Sequence, residues 1–362
     1  MAKNSWLDLG PVEKYQKSAL TQVDVAGSAV MIIYADGVFS AFAGSCLHSG
    51  APLATGTLAD GKVICPWHGW RYDCKSGIAD QGGARLAGYE VKSSDGRLLI
   101  KATPVQAAVA AKEKHPLQRP PIREDGPIRV VGISTTAMNH EEPRYSTSEK
   151  LLNVALDHAR EALGAETRLI KLNDLRFRNC EGYYSKSAQS CVWPCTITQA
   201  DPKDQMERVY EALVFWADVV IIATPIRWGA ASSLYFKMAE RMNCIQNQIT
   251  ISDNVLIRNK VASFIITGGQ DNIQGVAGQM MTFFTELGFH LPQFPFIAHS
   301  RGWSAEDMEK NVDYVEKSQD LRDGARQLAG RSVDMARLLI DNVAVKGKTT
   351  RAGRKATPIK IL

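Results

Sequence analysis

Two rhythms of apolar and polar positions divide the chain. Over residues 1–101 the apolar positions fall in short, strand-like runs. The stretch "AVMIIYADGVFSAFA" at 29–43 is two such runs about an Asp-Gly turn, and "GKVICPW" and "AGYEVKSSDGRLLIK" repeat the theme. The first hundred residues are therefore predicted to be all-β. Residues 102–127, "ATPVQAAVAAKEKHPLQRPPIREDGP", break the pattern with five prolines, mixed charge and an alanine run. That is the composition of a linker with room for one short helix.

From residue 128 strands and helices alternate. "IRVVGIS" (128–134) is an apolar strand, and 146–163 reads as a helix with Leu151, Leu152, Ala155 and Leu156 on one face. "ETRLIKL" is a second strand, and "DPKDQMERVYEALVFW" a helix with Asp201 as its N-cap. "ADVVIIATP", "KVASFIITGG" and "QFPFIAHS" supply three more strands, and 304–343 carries a long helical pattern. Five strands alternating with helices predict an α/β domain with a doubly wound parallel sheet. The expected divisions are 1–103, a linker at 104–127, a second domain at 128–345 and a tail at 346–362.

The chain of 362 residues is long enough for two cores. No window holds eighteen uninterrupted apolar residues, so no membrane span is expected. The first residues include Asp8 and Glu13 with no apolar run, which argues against a secretory signal. Seven cysteines do not read as a disulfide framework. Thiols or metal ligands, and a cytoplasmic setting, fit better. The net charge of +5 sits in the tail "KGKTTRAGRKATPIKIL", whose six Lys or Arg face no acid. A solvated or subunit-clasping tail is expected there, not a nucleic-acid arm.

The chemistry starts with "CLHSG" (46–50) and "CPWHGW" (65–70). Cys46, His48, Cys65 and His68 form C-x-H-x16-C-x-x-H. Two Cys and two His also suit zinc, but zinc fingers usually place both cysteines first. Here each loop holds one of each, which suits a [2Fe–2S] cluster with two thiolates on one iron and two imidazoles on the other. Nearly all of 4–101, including "FAGSCLHSGAPLATG" and "VICPWHGWRYD", resembles a Rieske-type ferredoxin domain. The resemblance implies Cys46 and Cys65 on an inner iron, and His48 and His68 on an outer one. High-potential members of that family carry an extra cysteine in each loop and a serine bonded to a cluster sulfur. The matching positions here are Ala51, Trp67 and Trp70. Fewer hydrogen bonds to the cluster imply a potential toward the low end of the Rieske range, roughly −150 mV, with Tyr72 able to donate one bond. Cys74 is expected to be a packed thiol.

In the second domain three strand ends are conspicuous. After the first strand comes "STTAMNHEEPRYSTSEK" (134–150), whose Ser134, Ser146, Thr147 and Ser148 stand at the opening of a helix, where phosphate binds readily. Neither GxGxxG nor GxxxxGK[ST] is present. "TPIRWGAASSLYFKMAERM" (224–242) and "TGGQDNIQG" (267–275) follow the third and fourth strands. Together these loops resemble the NAD(P)H-dependent FMN reductase branch of the flavodoxin-like fold. The resemblance implies that the first loop holds the FMN phosphate. Pro225, Ile226, Arg227, Trp228 and Gly229 would line one side of the flavin ring, and Thr267, Gly268, Gly269 and Gln270 the other. Arg227 stands where family members often have tyrosine, and the first loop is longer than the usual Ser-Pro-Arg form.

"NCEGYYSKSAQSCVWPC" (179–195) holds Cys180, Cys191 and Cys195. A second cluster there needs a fourth ligand such as Cys244. A contact loop, with Tyr183, Tyr184 and Trp193 for stacking, is the stronger expectation. The implied function is an oxidoreductase passing electrons between NAD(P)H, FMN and a low-potential Rieske cluster to an external acceptor, as a homodimer or homotetramer. The alternative is an FMN and iron–sulfur carrier or redox sensor without NAD(P)H turnover. A Rieske oxygenase needs a mononuclear iron on two histidines and a carboxylate. Beyond residue 101, His115, His140, His158, His290 and His299 make no H-x4-H pair, which argues against one.

Overall fold

The computed structural model describes residues 5–110, 115–268, 271–301 and 304–345. The basic tail lies outside them. The chain forms two compact units, Met1–Pro116 with Gly182–Val192, and Leu117–Glu181 with Trp193–Leu362.

In the first unit, β1 (Trp6–Pro11) leads through a short helix, α1 (Val12–Gln16), to β2 (Leu20–Val25), β3 (Ser28–Ala35) and β4 (Val38–Ala43). The hairpin between β3 and β4 closes at Asp36 and Gly37, with φ of 50° and 77°, in the left-handed pair that a tight hairpin requires. Further strands are β5 (Thr57–Ala59), β6 (Lys62–Ile64), β7 (Arg71–Asp73), β8 (Gly88–Tyr89), β9 (Val91–Ser94) and β10 (Arg97–Lys101). They pair antiparallel as three sheets, ordered β1-β10-β9, β2-β3-β4-β8 and β5-β6-β7. The period of two along β3 divides its apolar run between two cores. Val30 and Ile32 pack with Tyr15, Leu98 and Ile100. Met31 and Ile33 pack with Phe42, Leu53, Val63, Cys46 and Cys65. The second core therefore seats both cysteines.

In the second unit, β11 (Arg129–Ser134) is followed by α2 (Thr147–Glu161) and β12 (Glu166–Lys171). Then come α3 (Thr196–Ala200), α4 (Met206–Tyr210), β13 (Val219–Pro225), α5 (Ser233–Arg241) and α6 (Asn243–Ser252). β14 (Val261–Gly268), α7 (Ile273–Glu286), β15 (Phe296–Ser300), α8 (Ala305–Lys317) and α9 (Gln319–Val345) complete it. The five-stranded sheet is parallel throughout, in the order β12-β11-β13-β14-β15. β11 and β14 are buried along their whole length, as strands covered on both faces must be. This is the predicted doubly wound, flavodoxin-like architecture, and its order reverses at β11, where such sheets place ligands.

Three local expectations are corrected. Asp201 ends α3 as its C-cap; the next helix starts from Gln205 and runs on as π-helical turns over Glu211–Trp216. The acidic side chain that marked an N-terminus instead accepts from Lys203 N in the intervening turn. The long C-terminal pattern is two helices, broken at Ser318, whose extended backbone ends α8. The described part of the linker holds no helix; Val109 and Gln106 instead make β-bridges to Arg85 and Gly88. Among the described residues no helix is long and apolar enough to cross a membrane.

Candidate functional sites: a Cys-His pair and a strand-end cleft

The two Cys-His loops share one backbone design. Cys46 N donates to Ala51 O at 2.8 Å and Gly50 N to Cys46 O at 2.8 Å. Cys65 N donates to Trp70 O at 2.7 Å and Gly69 N to Cys65 O at 3.1 Å. Gly50 and Gly69 take φ of 77° and 71°, so each turn needs the glycine four residues after its cysteine. The matched turns bring the cysteines together at the buried end, 3% and 2% exposed. The half-buried histidines meet with their Nδ1 atoms 3.0 Å apart.

The electrostatics favour a thiolate at Cys46. A hydrogen bond from Cys65 is the chief influence drawing the Cys46 thiol down to about 6, helped by Tyr72 and the backbone N–H groups of His48 and Ser49. The same pairing, with burial, pushes Cys65 up, while the N–H groups of His68 and Trp67 act against it. Tyr72 OH lies 3.2 Å from Cys46 Sγ and also accepts from Leu47 N at 3.0 Å. Trp70 brings no hydroxyl to the sulfurs; its ring stacks on His48, centroids 5.1 Å apart and nearly parallel. Among the described residues no three ligating side chains converge on one ion. A binuclear cluster does not require it, because each iron takes only two protein ligands.

The segment 182–192 contributes to this unit. His68 Nε2 bonds the carbonyl oxygen of Ser190, and the Tyr183 ring meets the His68 ring edge-on at 5.2 Å. Lys186 Nζ donates to the carbonyl oxygens of Pro66 at 3.1 Å and Trp67 at 3.4 Å. The expected contact loop is thus partly a brace for the second Cys-His turn. Tyr184 stays exposed, and Trp193 instead packs its ring on Tyr210. Cys195 and Cys244 pair in a buried site with Arg241, and no third ligating side chain joins them into a metal site among the described residues.

In the second unit a cleft of about 500 Å³ opens at the carboxyl edge of the sheet. It is lined by Ser146, Thr147, Ser148, Pro225, Ile226, Arg227, Trp228, Thr267 and Gly268, nine of the residues expected from sequence. Ser146 caps α2 by accepting from Glu149 N at 3.3 Å. Thr136 Oγ1 lies 2.8 Å from Ser146 Oγ and 3.3 Å from Ser148 Oγ. Thr147 Oγ1 lies 2.7 Å from Thr267 Oγ1, tying the first loop to the end of β14. Hydroxyls at the start of a fifteen-residue helix, where the first backbone N–H groups have no partner within the helix, suit a phosphate. Trp228 is 90% exposed with φ of 51°, an unfavourable backbone for an aromatic residue. Asn272 fastens the neighbouring turn by donating to Gly229 O at 2.6 Å.

Two expectations at the cleft change. Ser134 does not line it: as the last residue of β11 its buried hydroxyl donates to Glu149 Oε2 at 2.8 Å, steadying the first turn of α2. Gly229 stands beside Trp228 but off the lining, with φ of 68°. Gly269 and Gln270 lie outside the described residues. Thr136, Met138, Arg144, Tyr145, Asn311 and Val312 line the cleft without having been singled out. Thr136 and Arg144 were readable as polar and basic residues of the first loop. Asn311 and Val312, on α8, had no local signal.

The paired Cys-His turns of one unit and the strand-end cleft of the other suit an electron-transfer redox protein, and the family matches agree. Specifically, residues 5–89 match the Rieske [2Fe-2S] domain and residues 129–303 the NADPH-dependent FMN reductase, so the chain is a fusion of these two domains. The cofactors of these two domains are a [2Fe–2S] cluster and FMN. It is 30% identical over 94 residues to mouse apoptosis-inducing factor 3, covering 25% of this chain and 16% of that protein. An iron-sulfur flavoprotein of Methanocaldococcus jannaschii is 29% identical over 147 residues, 40% of this chain and 64% of its own length. The ferredoxin component of the alkene monooxygenase system of Xanthobacter autotrophicus is 28% identical over 102 residues, 28% of this chain and 84% of its own. The chain thus spans about one sixth of the mouse protein and less than two thirds of the archaeal one.

The residues present fit both groups. Paired cysteine sulfurs and imidazoles, with backbone N–H donors on the sulfurs, match a negatively charged cluster. The cleft offers hydroxyls at a helix start and, on Asn311, a buried oxygen with no partner among the described residues.

Proposed function

We propose that the protein oxidises NAD(P)H and passes the electrons one at a time to an external acceptor, a protein or a small molecule. When bound, FMN supplies hydride acceptance with single-electron release, and the cluster supplies one-electron storage. One observation carries the reading: a two-electron and a one-electron carrier domain occur in the same chain. Cys46 and Cys65 would hold the inner iron and His48 and His68 the outer one. Ser146, Thr147 and Ser148, with Thr136 and Arg144, would take the FMN phosphate. Pro225, Ile226, Arg227 and Trp228 would flank one side of the ring, and Thr267 and Gly268 the other. The chain's residues bind, orient and tune; none is required as a general acid or base. The likeness to a ferredoxin component supports an external redox partner.

Anaerobic mixing with NADPH or NADH tests the reading. The flavin band should bleach, and the EPR signal of a reduced Rieske cluster should follow. A flavin band that stays unbleached by both nucleotides sinks the reductase reading in favour of a carrier or sensor. The same proposal includes a cytoplasmic homodimer or homotetramer. Elution as a monomer, with mass by light scattering, would overturn that part.

A further inference from the structure

Helix α8 presents an unexpected residue on its inward face. Val315, 1% exposed, packs in a hydrophobic core of the second unit, and Asn311, one turn earlier, is 5% exposed. Residues four apart share a helix face, so the position of Asn311 calls for an apolar side chain. It carries a carboxamide whose Oδ1 is buried with no hydrogen-bond partner among the described residues. Burying an amide oxygen unpaired is destabilising, so such an atom needs a reason. Asn311 and Val312 line the cleft that holds Thr136, Ser146 and Arg227. The helix is held at that edge by Tyr314, whose ring stacks on His299 at 4.5 Å and 15°, and His299 pairs with Thr267 across β15 and β14. α8 starts at Ala305, past residue 303, where the match to the reductase domain ends.

We propose that Asn311 is a flavin-recognition residue contributed by this C-terminal helix. Its Oδ1 accepts a hydrogen bond from a donor on the bound nucleotide. A phosphate and the ring carbonyls have no hydrogen to give, which leaves a ribityl hydroxyl or the ring N3–H. Asn311 therefore reads the flavin body, while the hydroxyl cluster at α2 reads the phosphate. The inference rests on the cleft being the FMN site.

The test uses the full chain stripped of flavin, with FMN binding followed by quenching of its fluorescence. Asn311→Leu should raise the Kd for FMN about tenfold, the loss of one well-formed hydrogen bond. Flavin-free Asn311→Leu should melt no lower than flavin-free wild type, because leucine fills the space without an unpaired oxygen. Riboflavin, which lacks the phosphate, should lose affinity by the same factor. Lumiflavin, which lacks the ribityl chain, separates the two donors: a retained factor assigns N3–H, a lost factor the ribityl hydroxyl. An unchanged Kd for FMN would overturn the assignment. So would a lower melting temperature of the flavin-free variant, which would mark Asn311 as a structural residue. Wild type that binds no FMN, or an Arg144→Gln variant that binds FMN as wild type does, instead sinks the cleft reading itself.

Discussion

Replacing Tyr72 with phenylalanine removes one oxygen from the Cys-His site and leaves its shape intact. The ring is 1% exposed, and its hydroxyl spans Cys46 Sγ at 3.2 Å and Leu47 N at 3.0 Å. Burial, then the charge at Cys46, pushes the phenol well above its ordinary range. The hydroxyl therefore stays protonated and can donate to the sulfur at any working pH. A hydrogen bond to a charged acceptor is worth about 1.5–3 kcal/mol. It favours the more negative, reduced cluster over the oxidised one, and only that difference moves the potential. Taking the difference as about 1 kcal/mol, at 59 mV per 1.4 kcal/mol for one electron, the variant's potential should fall by about 40 mV. Potentiometric titration followed by EPR, on wild type and Tyr72→Phe with equal iron content, measures it. A potential that is unchanged or higher, with both irons retained, would refute the reasoning. Leu47 N also loses its acceptor, so unfolding by urea should show a cost of about 1 kcal/mol.

The second unit yields further predictions. A methyl added at Gly268 would lie 2.8 Å from Ile226 Cβ and 3.2 Å from Ile226 N, whose N–H donates to Thr267 O at 2.8 Å. Gly268→Ala should therefore part the two loops, at about 1–2 kcal/mol, and weaken FMN about tenfold by fluorescence quenching. Arg241 and Asp204 form an ion pair at 2.6 Å with both side chains 0% exposed. Arg241→Met strands the carboxylate, and urea unfolding should show a loss of about 3–5 kcal/mol. Burial alone would raise Asp204, but Arg241, Arg178 N and Thr198 outweigh it and hold the carboxyl below its ordinary range. Its contribution to stability is thus complete above the unfolded value of about 4 and is lost as pH falls through the lower folded one. Melting temperatures from pH 6 to 3 should show that loss, and Arg241→Met, which removes the main group holding the carboxyl down, should shrink it.

Legibility followed locality. Each Cys-His turn carries its glycine four residues after the cysteine, so five consecutive residues encode it. The apolar alternation of β3 and the Ser146 cap were equally readable, because the atoms that meet are within a few residues of each other. Asp201 misled for the same reason: an aspartate before a helical pattern has the signature of a cap, yet the chain closed a turn there first. Ser134 shows the opposite limit. Its place at a strand end was correct, but the choice between facing a phosphate and bonding Glu149, fifteen residues away, is made by packing.

By itself, then, the sequence determined the two architectures, the two Cys-His turns and the loops that end β11, β13 and β14. Each of these depends on periodicity or short spacing, which the backbone reads directly. Only the tertiary structure decided that Tyr72 reaches Cys46 from 26 residues away, that Ser190 meets His68 and that Asn311 faces the cleft. Such contacts form when separate elements pack, and whether a buried polar atom has a partner depends on every element around it.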